Sequence, residues 1–382
     1  MPYTNVAFNP QFWKTLVKKP KFSTEDIPDL TGKVVIVTGA NSGLGYATTV
    51  ALASHGAHVF LACRSKDKAL EAIERAKGEI RGSGSVRASS FPINATTASV
   101  PITTTTTITT SAPSSPTAGK PTAAMLAAAK YLKDKDGNPV EPKLEFLQLD
   151  LNDMNSCSRA AKEFLAKGLA LHILINNGGI MTSPFALSAD GIEQQFAVNH
   201  MGHFVFTMGL LDRIIQSQPS RIVMLSSIGH EHTPKHGIDF LTLNDRSASN
   251  PASRYGRSKL ANILFGKALA RRLANEKVWV NMPHPGFVYT ELARNNKDSM
   301  GVVAAGVYDL AGRMCASKPE VGCLNQLYLA TSPEVVEKDL RGLYFVPVGN
   351  ELRPSSYALD EELQEKLWTF SEQLMHEKVK EI

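Results

Sequence analysis

What the chain has little of already narrows its function. Its 382 residues include four cysteines, Cys63, Cys157, Cys315 and Cys323. They form no CxxC pair and no dense pattern, which excludes a zinc ribbon or a disulfide-stapled scaffold and fits a reducing compartment. No apolar run approaches the roughly 20 residues of a membrane span. The first residues, MPYTNVAFNPQFWKTLVKKPKF, hold no signal-peptide core. Strong charge is missing too: the net charge is +5 and the basic residues are scattered, so nucleic acid is not an expected partner. His230, His232 and His236 lie close together but lack cysteine or carboxylate company, so no metal is expected there. They read as lining a loop at the pocket.

The sequence does carry enough apolar residues, 43%, for one large core. Short β-branched runs alternate with helical patterns. KVVIVTG, AHVFLACR, KLEFLQLDL, LHILINNGG, RIVMLSS, KVWVNMPHPG and GLYFVPV read as about seven strands. The expected fold is α/β, a Rossmann-type, doubly wound parallel sheet. Residues 1–30 read as an N-terminal arm, 31–350 as the Rossmann domain and 351–382 as a C-terminal helical tail. In that tail Leu363, Leu367, Trp368 and Leu374 are placed to pack on the domain. Residues 81–142 break the rhythm. They are rich in Ser, Thr, Pro and Ala, a composition that cannot offset its own ordering entropy, and we read them as a disordered insertion. The arm mixes Phe8, Phe12, Trp13, Leu16 and Val17 with Lys14, Lys18 and Lys19. It reads as packed on the domain, and it is also compatible with peripheral membrane contact.

VTGANSGLG runs straight from the first strand into the first helix. Gly39 allows a tight turn, Gly43 lets backbone approach phosphate, and Gly45 lets helix and strand pack closely. Asn41, Ser42 and Leu44 line the same turn, and the helix N-terminus offers N–H groups to a pyrophosphate. After the second strand an acid would select NAD by its ribose hydroxyl. Arg64 stands there instead, with Lys66 nearby, and a guanidinium suits a 2′-phosphate. The expected cofactor is therefore NADP(H). Asp150 ends the third strand facing the ligand crevice, where it could accept from an adenine amine. In INNGG the glycines leave backbone open beside the ligand, Asn176 can brace neighbouring strands, and Asn177 is assigned to the cofactor.

Tyr255 and Lys259, in RYGRSKLAN, share one helix face through i,i+4 spacing. Tyr131 and Lys135 have the same spacing, at the edge of the low-complexity insert. No phosphate turn or serine-ended strand leads to that second pair. Only the first pair follows both.

TGANSGLG, LDL, INNGG, VNHMGHF, IVMLSS, YGRSK and HPGFVYT, in this order over about residues 30–290, resemble the short-chain dehydrogenase/reductase family. LACR, VNHMGHF and HPG resemble most its retinol dehydrogenase and WW-domain oxidoreductase branch. The resemblance implies a tetrad of Asn199, Ser227, Tyr255 and Lys259. Tyr255 would be the general acid or base. A free phenol titrates near 10, so work near neutrality calls for the Lys259 ammonium to favour the phenolate. Lys259 would also hold ribose hydroxyls, Ser227 the substrate oxygen, and Asn199 a water leading from Lys259 to solvent. Ser226 also ends that strand, and the family pattern favours Ser227. Val288 and Thr290 would touch the nicotinamide end. Gly178 departs from the family's alanine, and the gap between Ser227 and Tyr255 is longer than in compact members. Residues 291–320, with Leu292, Met300, Val302 and Val303, fit a lid over a lipophilic small molecule. The function implied is carbonyl–alcohol interconversion. Reduction of an activated C=C bond and a cofactor-bound scaffold without turnover are the alternatives. A cytoplasmic setting is expected, with the arm able to touch an ER or lipid-droplet surface, and a homo-oligomer is compatible with the sequence.

Overall fold

The computed structural model describes residues 20–82, 140–288 and 317–380. The chain alternates strands and helices: β1 (Val34–Thr38), α1 (Gly43–Ser54), β2 (His58–Cys63), α2 (Lys66–Ile80), β3 (Leu144–Gln148), α3 (Met154–Ala166), β4 (Ile173–Asn176), α4 (Gly202–Gln216), β5 (Ser220–Met224), α5 (Pro251–Arg272), β6 (Val278–Pro283), α6 (Leu324–Thr331), β7 (Tyr344–Val346), β8 (Asn350–Glu351) and α7 (Glu361–Lys378). The sheet has eight strands in the order β3-β2-β1-β4-β5-β6-β7-β8. Neighbours are parallel except the β7–β8 pair. The expected count of about seven was short by β8, a two-residue antiparallel edge strand too brief to show a period. The boundary drawn between residues 350 and 351 runs through β8.

Both faces of the sheet are covered, so its central strands are apolar throughout rather than alternating. Val34 and Ile36 of β1 enter the core shared with α3, α4, α5 and α7. Val35 and Val37 enter the opposite core, with α1, α2 and α6. The C-terminal helix belongs to the first core through Leu363, Leu367, Trp368 and Met375, with Leu374 packed against it. The end of the arm is seated as well: Phe22, Ile27 and Leu30 are buried, and Phe22 meets Tyr328 edge-on at 5.7 Å. The arm's mixed apolar and basic stretch, most of the 81–142 insertion, Tyr131, Lys135 and most of the 291–320 segment lie outside the described residues. No helix among the described residues is long and apolar enough to cross a membrane.

The chain leaves β1 towards β2 and β3, then returns to place β4 on the other side of β1. That reversal opens a crevice at the carboxyl ends of β1 and β4, where such sheets bind ligands.

Candidate active site

The glycine turn occupies one wall of this crevice. Gly39 has φ +64 and Gly43 φ +53, values that glycine adopts without strain. A Cβ on Gly45 would lie 2.3 Å from the Gly39 carbonyl oxygen and 2.6 Å from Asn177 Nδ2, so no other residue allows α1 so close to the turn. Ser42 is the extended N-cap of α1 but makes no side-chain cap bond. The first N–H groups of the helix therefore have no serine oxygen on them, and Asn41 and Leu44 sit half-buried beside them. Val288 packs close by: a Cβ on Gly322 would touch both Val288 Cγ2 and Leu44 Cδ2, at 2.3 and 2.8 Å. Thr290 lies outside the described residues. Arg64 is exposed just past β2, with its carbonyl accepting from Gln148 Nε2 at 2.8 Å. Asp150 is half-buried past β3, and its carboxylate caps the turn by accepting from Asn152 N at 3.0 Å.

The two asparagines at the end of β4, Asn176 within the strand and Asn177 just past it, divide their work differently from the expectation. Asn176 Nδ2 donates to Thr207 of α4 at 2.8 Å. It is Asn177 that bridges strands, donating from Nδ2 to the Thr38 carbonyl at 2.8 Å and from its backbone N–H to Thr38 Oγ1 at 2.9 Å. The methyl missing at Gly178 is not a void, because a Cβ there would lie 2.8 Å from Leu151 Cδ1.

The opposite wall is built on α5. Asn250 caps its first turn by accepting from Ser253 N at 2.9 Å, and Pro251 pre-sets the first helical φ. One face of α5 carries Tyr255, Ser258, Lys259 and Asn262. Lys259 Nζ lies 5.8 Å from the centre of the Tyr255 ring and donates to the Leu225 carbonyl at 3.1 Å. Burial pulls the Lys259 ammonium down to about 8. Ser226 and Ser227 separate cleanly. The Ser226 hydroxyl is buried and spent on the Lys259 carbonyl at 2.8 Å. Ser227 is half-buried and accepts from Gly229 N at 3.0 Å. Gly229 packs between it and Tyr255, since a Cβ there would lie 2.9 Å from Tyr255 Cε1 and 3.4 Å from Ser227 Oγ.

Asn199 sits in a π-turn, Ala197–Met201, between β4 and α4. Its Nδ2 hydrogens go to the Ile180 carbonyl at 3.0 Å and Ser258 Oγ at 2.8 Å, while Oδ1 takes Ile180 N–H at 2.8 Å. Ser258 passes its own proton to the Tyr255 carbonyl. A single network therefore ties Asn199 to the helix of Tyr255 and Lys259.

Several supporting groups escape a reading of the sequence. Thr38, His203, Ser258 and Asn262 lie within recognisable motifs, but nothing in their spacing separates them from neighbours. Glu193 is buried, its carboxylate accepting from Gln195 N and Phe196 N at 3.1 and 3.0 Å. Arg254 Nε and Arg257 Nη2, on either side of Tyr255, lie 3.6 and 3.8 Å from it. Desolvation nevertheless holds the Glu193 carboxyl above its ordinary range. His230 does not line the pocket as expected. It is fully buried, with Nδ1 donating to the Ser227 carbonyl at 2.7 Å and Nε2 accepting from Ser355 N at 3.1 Å. No cluster of metal-type ligands occurs among the described residues.

A family model described as short chain dehydrogenase matches residues 33–107 and 120–239. Retinol dehydrogenase 14 of Homo sapiens is 34% identical over 342 residues, covering 89% of this chain and 85% of its own length. The Aspergillus calidoustus short-chain dehydrogenase/reductase drtF is 33% identical over 366 residues, covering 91% and 95%. The Homo sapiens WW domain-containing oxidoreductase is 32% identical over 361 residues, covering 92% of this chain and 70% of its own. Among solved structures, a Beutenbergia cavernae NAD(P)-dependent gluconate 5-dehydrogenase with bound NADP shares the fold at TM-score 0.52 and 20% identity, covering 84% of this chain and 97% of that one.

Proposed function

The chain belongs to the short chain dehydrogenase family, as an oxidoreductase of the branch that includes retinol dehydrogenases, and from that premise we propose that it is NADP(H)-dependent and interconverts a carbonyl and an alcohol on a lipophilic small molecule. The observation that carries this reading is the convergence of Tyr255, Lys259, Ser227 and Asn199 beside the turn where β1 and β4 part.

The crevice fits a dinucleotide. Its glycines let the turn, α1 and the chain after β4 pack closer than any Cβ would allow, and the first amides of α1 are left uncapped by Ser42. Gly39, Asn41, Ser42, Gly43, Leu44 and Gly45 would hold the pyrophosphate, Arg64 the 2′-phosphate, Asp150 the adenine, and Asn177 and Val288 the nicotinamide half. The cofactor, when bound, supplies or accepts the hydride.

The protein's own residues manage the proton and the orientation. Ser227 Oγ and Tyr255 Oη hold the substrate oxygen. Tyr255 gives it a proton in reduction and takes one in oxidation. Lys259, whose ammonium burial lowers to about 8, favours in its charged form the phenolate of its neighbour. Asn199 has spent both Nδ2 hydrogens and engaged Oδ1, so its main-chain carbonyl is the group that would carry a water towards Lys259. The exposed ring of Phe287 at the crevice rim, 54% accessible, favours an apolar substrate.

The test is NADPH oxidation by the purified protein against retinoid, steroid and fatty aldehyde carbonyls. Turnover by wild type and its loss by about a hundredfold or more in Tyr255→Phe is the expected result. Full turnover by Tyr255→Phe would remove Tyr255 as the acid, and a saturated ketone product would redirect the assignment to C=C reduction.

A further inference from the structure

We infer that His203 is a positioning residue that fastens the Asn199 carbonyl to the cofactor turn through Thr38, an inference that rests on the oxidoreductase reading above. His203 lies on the first turn of α4, is 3% exposed, and stands four residues beyond Asn199. Its Nδ1 lies 2.9 Å from the Asn199 carbonyl oxygen and its Nε2 lies 2.8 Å from Thr38 Oγ1. Every proton in this chain is forced. A carbonyl can only accept, so Nδ1 carries the hydrogen. Nε2 is then bare and must accept, so Thr38 donates its one hydroxyl proton. Both lone pairs of that hydroxyl are also used, by Asn177 N–H at 2.9 Å and Gly178 N–H at 2.8 Å.

The result is one unbroken line from the turn after β4, through the end of β1, to the π-turn. Each member is satisfied, so the line is rigid, and buried polar networks specify geometry when no member is left unpaired. A π-turn re-aims the carbonyls within it relative to an α-helix. His203 occupies one lone pair of the Asn199 carbonyl and thereby fixes the direction in which that carbonyl points.

The line requires a neutral imidazole. An imidazolium would bring a second N–H against Thr38 Oγ1, whose lone pairs are already taken. Burial pushes the ring down to about 4, and the nearby Lys259 charge acts in the same sense. The other titratable neighbour is His200, itself buried and held down to about 3. His203 therefore stays neutral throughout the range in which Tyr255 and Lys259 work, so it orients without exchanging a proton.

The experiment compares full-length His203→Leu, His203→Asn, His203→Gln and Thr38→Val with wild type. Asparagine keeps a donor near the position of Nδ1–H, and glutamine reaches Thr38 but leaves the Asn199 carbonyl without its donor. In His203→Leu, kcat should fall about tenfold to a hundredfold, with KM for NADPH near wild type and the pH profile of kcat displaced. His203→Asn should recover kcat and the pH profile as far as Thr38→Val does, since each keeps the donor on the Asn199 carbonyl and lacks the Thr38 link, and His203→Gln should not. Amide hydrogen exchange across residues 197–203, measured without substrate, should quicken most in His203→Leu and by a smaller, equal amount in Thr38→Val and His203→Asn, which both break the Thr38 link and keep the donor on the Asn199 carbonyl. A His203→Leu enzyme with unchanged kcat and pH profile overturns the inference. Equal impairment of the asparagine and glutamine variants overturns it too, since the ring would then only fill space. If His203→Leu does not fold, the asparagine–glutamine contrast decides. A wild type that turns over no carbonyl, yet shows the expected exchange pattern, refutes the oxidoreductase reading while supporting the His203 contact.

Discussion

Two serines, adjacent in sequence and chemically identical, show how much at the residue scale depends on direction. Ser226 faces inward and spends its hydroxyl on the Lys259 carbonyl, whereas Ser227 faces Gly229 and the Tyr255 ring. Successive residues past a strand point to opposite sides, so one becomes a strut and its neighbour a candidate ligand to substrate. The same logic applies past β2. Arg64 is exposed at the end of the strand, and the proposed preference for NADP(H) rests on it. Arg64→Ala should raise KM for NADPH about tenfold or more, the size of one charge-assisted hydrogen bond, and leave KM for NADH unchanged. Steady-state kinetics with both cofactors checks this, and an equal effect on the two would assign Arg64 to something other than the 2′-phosphate. Asn177 and Gly178 teach a further lesson. Both lie in a readable motif, but which asparagine bridges strands, and that Leu151 occupies the place of the absent methyl, depend on partners distant in sequence.

At the scale of elements, α5 is the platform of the site, and its ends are legible. Asn250 followed by Pro251 is a start signal written in residue types. What holds α5 against the π-turn is not legible. Glu193 caps the short helical turn leading into Ala197–Met201 and lies between Arg254 and Arg257 of α5, in a setting where all three are buried. Such a cluster contributes little when intact and costs much when one partner is removed, because a buried charge is then left without its counter-charge. Glu193→Gln should therefore lower stability by about 3 kcal/mol, seen as a reduced urea midpoint, and should lower kcat as the Tyr255 turn loosens. A variant with wild-type stability would show that the desolvation of the three charges already cancels their attraction. The π-turn itself has no sequence signature: VNHMGHF reads as ordinary helix, and the change of period appears only once Asn199 is drawn to Ile180 and Ser258.

The whole molecule is a sheet covered on both faces, and burying so much surface also buries histidines. His200, His203, His230 and His284 are all enclosed, and desolvation lowers them to about 3, 4, 4 and 3. An unfolded histidine takes up a proton near 6.5. Between about 4 and 6.5 the unfolded chain thus binds more protons than the fold, so stability is fully present above this window and is lost as pH falls through it. Thermal melts should show a midpoint that falls steadily between about pH 7 and pH 5, and a flat midpoint would mean that these rings accept protons within the fold. His200 also shows how the molecule is closed, since its Nε2 meets Ser371 Oγ of the C-terminal helix at 2.8 Å. By itself the sequence determined the strand–helix alternation, the glycine turn, the arginine past β2 and the tyrosine–lysine pair. Those signals are local, set by backbone permissiveness, hydrophobic period and helical spacing. Only the tertiary structure decided which serine faces the site, which asparagine bridges strands, and how Thr38, His203 and Glu193 support the residues beside them. These outcomes depend on hydrogen bonds and buried charges between segments tens to more than a hundred residues apart, which acquire a partner only when the sheet is assembled.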